Sequence, residues 1–186
     1  MVLDKYETIL YDMCTDDTII DTVLEIISEQ DDLDVNSSTL RHELSHICNS
    51  NPGVEGITIL LRNGRIIFYD RLNSSSSNSI WADKVTIPEI EKGYVYQGIT
   101  TPVSANEKKT YLFQIGRKLI DYRNINEPLG IVVISINEEQ IKDALVSGTY
   151  NASYLLDGNT VISSPEASDI GKKFTFQKDS IENKYT

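Results

Sequence analysis

VEGITILLRNGRIIFYD, residues Val54 to Asp70, decides how the chain folds. Two apolar, β-rich runs, GITILL and RIIFY, flank Asn63-Gly64. Asn-Gly between such runs is a strong hairpin signal, because a type I′ turn needs φ > 0 at both central residues. The spacing therefore predicts a two-residue turn at this point. Both runs are apolar at nearly every position, whereas a strand with one wet face would alternate. The hairpin is expected to be covered on both sides. Residues N-terminal to it read as helix, and most of those C-terminal to it read as more strands. It should supply the first two strands of a sheet against which the N-terminal helices pack.

Upstream, Val2 to Gln30 has helical periodicity. Tyr6, Ile9, Leu10 and Met13 form one apolar stripe, and Ile19, Ile20, Val23, Leu24 and Ile27 another. Thr15-Asp16-Asp17-Thr18 resets the stripe, which predicts a kink with Thr15 or Asp16 as a new N-cap. Gln30 to Asn36 reads as an acidic loop. A second helix is expected from about Ser38 to Asn49, ended by Asn51-Pro52-Gly53.

Downstream, the Asn/Ser run from Asn73 to Ser79 reads as a loop tip, with Trp81, the only tryptophan, at its far end. A strand is expected from Tyr94 to Thr100, stopped by Pro102, and then a polar turn from Ser104 to Lys109. Thr110 to Asp121 and Leu129 to Asn137 read as long strands joined by a turn at Asn124 to Pro128. Asn137 should cap a helix from Glu138 to Val146, with Gln140 placed as in a capping box. Ala152 to Ser163 repeats the strand, turn, strand pattern, with Asp157-Gly158 where the first hairpin has Asn63-Gly64. A two-stranded hairpin does not stand alone in water. The chain is therefore expected to enter a second module and stop inside it.

Composition sets bounds on function. The 186 residues fit one domain, or one domain and part of another, and 40% hydrophobic residues suffice for a core. A net charge of −11 argues against nucleic acid and against an anionic membrane surface. No apolar run approaches the roughly 20 residues of a membrane-spanning helix, and no signal peptide opens the chain. Either the protein is cytosolic or its targeting and anchoring segments lie outside these residues. Cys14 and Cys48 match no zinc or redox spacing, and they would meet only if their helices ran antiparallel. The simplest reading makes each a small buried apolar group.

Among chemical motifs the sharpest is His42-Glu43-Leu44-Ser45-His46, which matches H-E-x-x-H, the zinc-peptidase pattern. The helix buries Leu40, Leu44, Ile47 and Cys48, so at about 100° per residue His42 and His46 fall on the solvent side. The G-x-x-H extension is replaced by Asn49-Ser50-Asn51-Pro52, and there is no third histidine. No G-x-S-x-G, P-loop or G-x-G-x-x-G is present. The remaining candidate is a small-molecule pocket. Tyr69, Trp81, Tyr94, Tyr96 and Tyr111 sit on strands or on the loop covering them, with Gln114, Arg117 and Asp121 as polar companions. Aromatics with polar tips suit a small polar ligand, and the same tyrosines would also serve as the rim of a core.

The order of these parts carries a resemblance. Amphipathic helices end in Asn-Pro-Gly-Val-Glu-Gly-Ile. A hairpin turns at Asn-Gly, and a long loop carries Ile80-Trp81. Strands read Phe-Gln-Ile-Gly-Arg-Lys-Leu-Ile-Asp and Leu-Gly-Ile-Val-Val-Ile-Ser-Ile-Asn, and Tyr-Leu-Leu-Asp-Gly-Asn-Thr-Val-Ile-Ser-Ser restarts with Ile170-Gly171 soon after. This resembles the extracytoplasmic double Cache (PAS-like) sensor domain of bacterial two-component sensor histidine kinases.

The resemblance implies an α+β fold, with long N-terminal helices packed on a five-stranded antiparallel sheet and the start of a second, truncated module. It divides the chain into N-terminal helices (1–50), a membrane-distal Cache module (51–147) and a partial membrane-proximal module (148–186). It implies a place outside the cell between two transmembrane helices, a homodimer, and signalling to a cytoplasmic kinase. The chain is then a sensor without catalysis or cofactor of its own, binding a small molecule between the sheet and the Leu72 to Lys92 cover. Two alternatives stand beside it. One is a zinc metallopeptidase or metal-binding protein acting through His42 and His46. The other is a chemoreceptor or other non-catalytic interaction module of the same fold.

Overall fold

A computed structural model describes residues 2–28, 33–71, 94–105, 108–146 and 153–175. Three helices come first: α1 (Val2–Thr15), α2 (Asp17–Ser28) and α3 (Leu33–Ser50). Five strands come next: β1 (Val54–Leu61), β2 (Ile66–Asp70), β3 (Tyr94–Ala105), β4 (Lys108–Ile120) and β5 (Pro128–Asn137). Helix α4 (Glu138–Val146) leads to a short pair, β6 (Leu155–Asp157) and β7 (Thr160–Ser163). The first five strands make one sheet in the order β2-β1-β5-β4-β3, every pair antiparallel. Strands β6 and β7 make a separate two-stranded sheet. The architecture is α+β. No helix among the described residues is long and apolar enough to cross a membrane.

The break between α1 and α2 falls where the apolar stripe resets. Asp16 supplies the cap, its Oδ1 accepting from the Ile19 N–H at 2.9 Å. Helix α3 begins at Leu33, one full turn before the expected Ser38. Asp34 and Val35 in its first turn are exposed, and Asp34 favours the helix N-terminus electrostatically. Apolar periodicity does not report residues that stay in water.

The Val54–Asp70 hairpin forms, with a different turn from the one expected. The Gly64 N–H donates to Leu61 O at 2.9 Å, and the Leu61 N–H donates to Arg65 O at 2.8 Å. The loop is therefore three residues long, a turn centred on Arg62 and Asn63 and completed by Gly64 at φ +85°. This is the type I turn with a G1 bulge, in which only the last position requires positive φ. Asn63 turns its side chain inward along the loop, Oδ1 accepting from the Arg65 N–H at 3.1 Å.

Strand β3 also departs from expectation, running through Pro102 to Ala105 rather than ending before it. It is an edge strand, where a residue without an N–H is tolerated. The ladder to β4 shifts register between Ile99 and Val103, so the proline sits in a bulge. Ser104 and Ala105 pair with Lys109 and Lys108, so both strands extend into the stretch expected as a polar turn.

The helices cover one face of the sheet. Leu10, Ile20, Val23, Ile26, Leu40 and Leu44 pack on alternate residues of the strands, such as Ile57, Ile59, Ile115, Val132 and Ile134. Each such side chain, fully out of water, contributes about 1.5–3 kcal/mol before conformational entropy is set against it. Cys14 and Cys48 belong to this core as free thiols. The opposite face is buried as well, through Thr58, Phe68, Leu112 and Val133. This double burial explains why strands β1 and β5 read as continuous apolar runs.

Three contacts seat the β6-β7 hairpin on the first sheet and α4. Ile162 on β7 joins the main core. A Cβ placed on Gly98 of β3 would stand 2.5 Å from the Ile162 Cβ, so only glycine fits there. Glu138, buried at the start of α4, accepts hydrogen bonds from the Ser163 hydroxyl and from the Ser164 N–H. Asn137 caps α4 through Oδ1, which accepts from the Glu139 N–H at 3.0 Å.

Candidate functional site

The face of the sheet away from the helices carries a row of polar positions. The ladder aligns Asp70 with Gly56, Gly56 with Ser135, Ser135 with Gln114, and Gln114 with Gln97. Directly opposed residues in antiparallel strands present their side chains on the same face. Asp70, Ser135 and Gln114 are each no more than 1% exposed. The Gln114 amide donates to Ser135 Oγ at 3.0 Å. Gly56, between Asp70 and Ser135 in the ladder, contributes no side chain to the row. Thr58, also 1% exposed, stands one row away, between Phe68 and Val133. A carboxylate, an amide and two hydroxyls thus lie out of water on one face of the sheet. Burying such groups costs free energy unless partners meet them, and the Gln114–Ser135 hydrogen bond is one such partnership.

The residues singled out from the sequence do not converge on this row. Only Gln114 belongs to it. Tyr69 faces the helices, packs against the core, and accepts a hydrogen bond from Asn49 Nδ2 at 3.4 Å. Arg117 lies on the helix side as well, its guanidinium 5.1 Å from the centre of the Tyr11 ring. Asp121 closes the end of β4, its Oδ1 accepting from the Arg123 N–H at 2.9 Å and from Nε at 2.8 Å. Arg123 reaches on to Asp21 of α2 at 2.6 Å. These hydrogen bonds from Arg123 hold the Asp121 carboxyl below the usual carboxylate range. Tyr111 lines a separate groove of about 330 Å³ with Thr110, Glu139, Lys142 and Ser168. Tyr94 and Tyr96 stand in register with Arg117 and Ile115. Trp81 and the Leu72 to Lys92 cover lie outside the described residues.

Sequence reasoning passed over Asp70, Ser135 and Thr58. Their signal is a single polar residue within or at the end of an apolar strand: Thr58 in Ile-Thr-Ile, Ser135 in Ile-Ser-Ile and Asp70 after Ile-Ile-Phe-Tyr.

The HELSH segment has the disposition its apolar stripe implies. Leu40, Leu44 and Cys48 are buried, while His42 and His46 are exposed on the outer side of α3. Among the described residues no group of three or more His, Cys, Asp or Glu side chains is arranged to hold a metal ion. The metallopeptidase alternative finds no support here, since its histidines would have to face a cleft and share a third ligand. Burial pushes the Cys14 thiol up to about 12, with Arg117 drawing it back, and the Cys48 thiol up to about 11. Neither is a nucleophile.

Helices on one face of a five-stranded antiparallel sheet, with a hairpin docked on it, make a fold shared with solved sensor and ligand-binding domains of histidine kinases and chemoreceptors. Solved structures of such domains from histidine kinases and chemoreceptors match the chain. One is the sensor domain of the histidine kinase DctB of V. cholerae, with 14% identity and a TM-score of 0.62 over 96% of this chain and 65% of that one. Another is the ligand-binding domain of the Pseudomonas aeruginosa amino acid chemoreceptor PctC in complex with GABA, with 12% identity and a TM-score of 0.57 over 92% of this chain and 72% of that one. A third is the ligand-binding domain of the Pseudomonas fluorescens chemoreceptor CtaA in complex with L-leucine, with 9% identity and a TM-score of 0.54 over 92% and 66%. At these identities the likeness is one of fold. The chain spans just under two thirds of the DctB structure's length. No protein-family model matches the sequence, and no curated protein matches it.

Proposed function

We propose that this chain is the extracytoplasmic ligand-binding part of a membrane-anchored sensor, and that its ligand is a small molecule bearing an ammonium group. The observation that carries the reading is the buried polar row. Asp70 places a carboxylate on this row, and a carboxylate forms strong, charge-assisted hydrogen bonds with an ammonium group. Ser135, Gln114 and Thr58 offer hydroxyl and amide groups to the rest of the ligand. Two of the structural neighbours were solved with GABA and with L-leucine, both ammonium-bearing, which favours the same class for this chain.

In this reading the Leu72 to Lys92 cover lies over the row, and closure on ligand shifts the N-terminal helices relative to the β6-β7 unit. A ligand drives such a shift only by its different affinity for the two arrangements. Flanking transmembrane helices, a homodimer and a cytoplasmic histidine kinase complete the proposal. A chemoreceptor output is the second reading, favoured by the chemoreceptor neighbours.

The test is thermal-shift screening of the purified chain against amino acids, ω-amino acids and simple amines, with Asp70→Asn beside the wild type. A ligand at a hundred times its Kd stabilises by about 2.7 kcal/mol, a clear rise in Tm. Wild-type shifts that vanish in Asp70→Asn are expected. Hits that raise both proteins equally, or hits confined to anions, put the ligand elsewhere.

A further inference from the structure

We infer that the outer face of α3 holds a second site, for a borderline divalent transition-metal ion, formed by His42 and His46. The roll of the helix fixes the geometry. Leu40, Leu44 and Cys48 are at most 1% exposed, so the face opposite them looks into solvent, and both histidines are exposed on it. Residues four apart lie on one face about one turn apart, which brings two imidazoles to chelating range. Imidazole nitrogens suit Cu²⁺, Ni²⁺ and Zn²⁺ rather than Mg²⁺ or Ca²⁺, which prefer oxygen.

The helix that carries the pair is in place before any ion arrives. The inner side of α3 is packed against the core, and its C-terminal turn is tied down twice. Arg71 donates to Cys48 O, and Asn49 Nδ2 donates to Tyr69 Oη at 3.4 Å. An ion therefore need not order the helix in order to bind, which lowers the cost of association. The formal charge of −11 raises the local concentration of cations. With no third protein ligand among the described residues, water fills the other coordination positions. This is a binding site without a reaction, and it stands apart from the polar row on the far side of the sheet.

The test is isothermal titration of the purified chain with CuCl₂, NiCl₂ and ZnCl₂, with His42→Asn and His46→Asn in parallel. Both side chains are exposed, so both variants should keep the wild-type melting temperature. The wild type should take up one ion per chain, with Cu²⁺ tightest, as the Irving–Williams order requires. Each single variant should weaken binding by at least the roughly tenfold that even an outer-shell partner commands. Electron paramagnetic resonance of the Cu²⁺ form should show nitrogen coupling, and the coupling should be lost in the double variant. Uptake unchanged in the variants would assign the ion to carboxylates and overturn the site. So would a wild type that takes up no ion at millimolar concentration.

Discussion

Gly98→Ala is the most informative single change in this chain, because two effects of opposite sign meet at that position. In an open strand, replacing glycine by alanine stabilises by about 0.5–1 kcal/mol, since the unfolded chain loses freedom. Here the new methyl would stand 2.5 Å from the Ile162 Cβ and 2.7 Å from its Cγ2. Carbon atoms in contact prefer about 3.5–4.0 Å, so β3 and β7 must separate by about 1 Å. Overpacking of this kind costs about 1–3 kcal/mol, which leaves a net loss of about 1–2 kcal/mol. Urea unfolding of both proteins reads the difference directly as a lower midpoint at constant slope. Adding Ile162→Ala removes the Cγ2 contact and leaves the Cβ contact, so relief in the double variant should be partial. A Gly98→Ala protein as stable as the wild type, or more so, would show that the β6-β7 hairpin is not seated on β3.

The charge and thiol environments set two further outcomes. With Cys14 at about 12 and Cys48 at about 11, the thiolate fraction at pH 8 is on the order of one in a thousand or less, and burial blocks access as well. A disulfide reagent such as Ellman's should therefore label neither cysteine in the folded protein and both in denaturant, and fast labelling of folded Cys48 would contradict the packing of α3. Arg123→Ala should raise the Asp121 carboxyl towards the model-peptide value of about 3.9, as followed by NMR titration. Because folding depresses this group, its stabilising contribution is present above about pH 3.9 and fades as pH falls through the folded value. The variant should then be less stable than the wild type at neutral pH, with the gap closing in acid.

Much of the fold could be read from the residues because burial wrote it into their periodicity. Ile19, Ile20 and Val23 mark the buried side of α2, and the unbroken apolar runs of β1 and β5 mark a sheet covered twice. What escaped was decided by forces with no apolar period. Asp34 and Val35 in the first turn of α3 are exposed and leave no apolar period. Asn-Gly fits two hairpin loops, and hydrogen bonding through Leu61 chose the longer one. Pro102 was read as a stop because it cannot donate to a ladder, yet strand order puts it on a rim, where no donor is needed. The site was harder still. Asp70, Ser135 and Gln114 lie far apart in the sequence and become neighbours only through the register of four strands. Tyr69 and Arg117, selected by side-chain type, lie by parity on the helix face.

The two margins of the sheet are treated differently, and this bears on solubility at high local concentration. An open margin of backbone donors and acceptors is a template for another chain. The β2 margin is only five residues long and has α3 beside it. The β3 margin is far longer, twelve residues, and carries Pro102 inside a break in register. A straight intruding strand would find a missing donor and a kink where it needs an even row. Pro102 thus interrupts the row of donors on this margin instead of ending the strand.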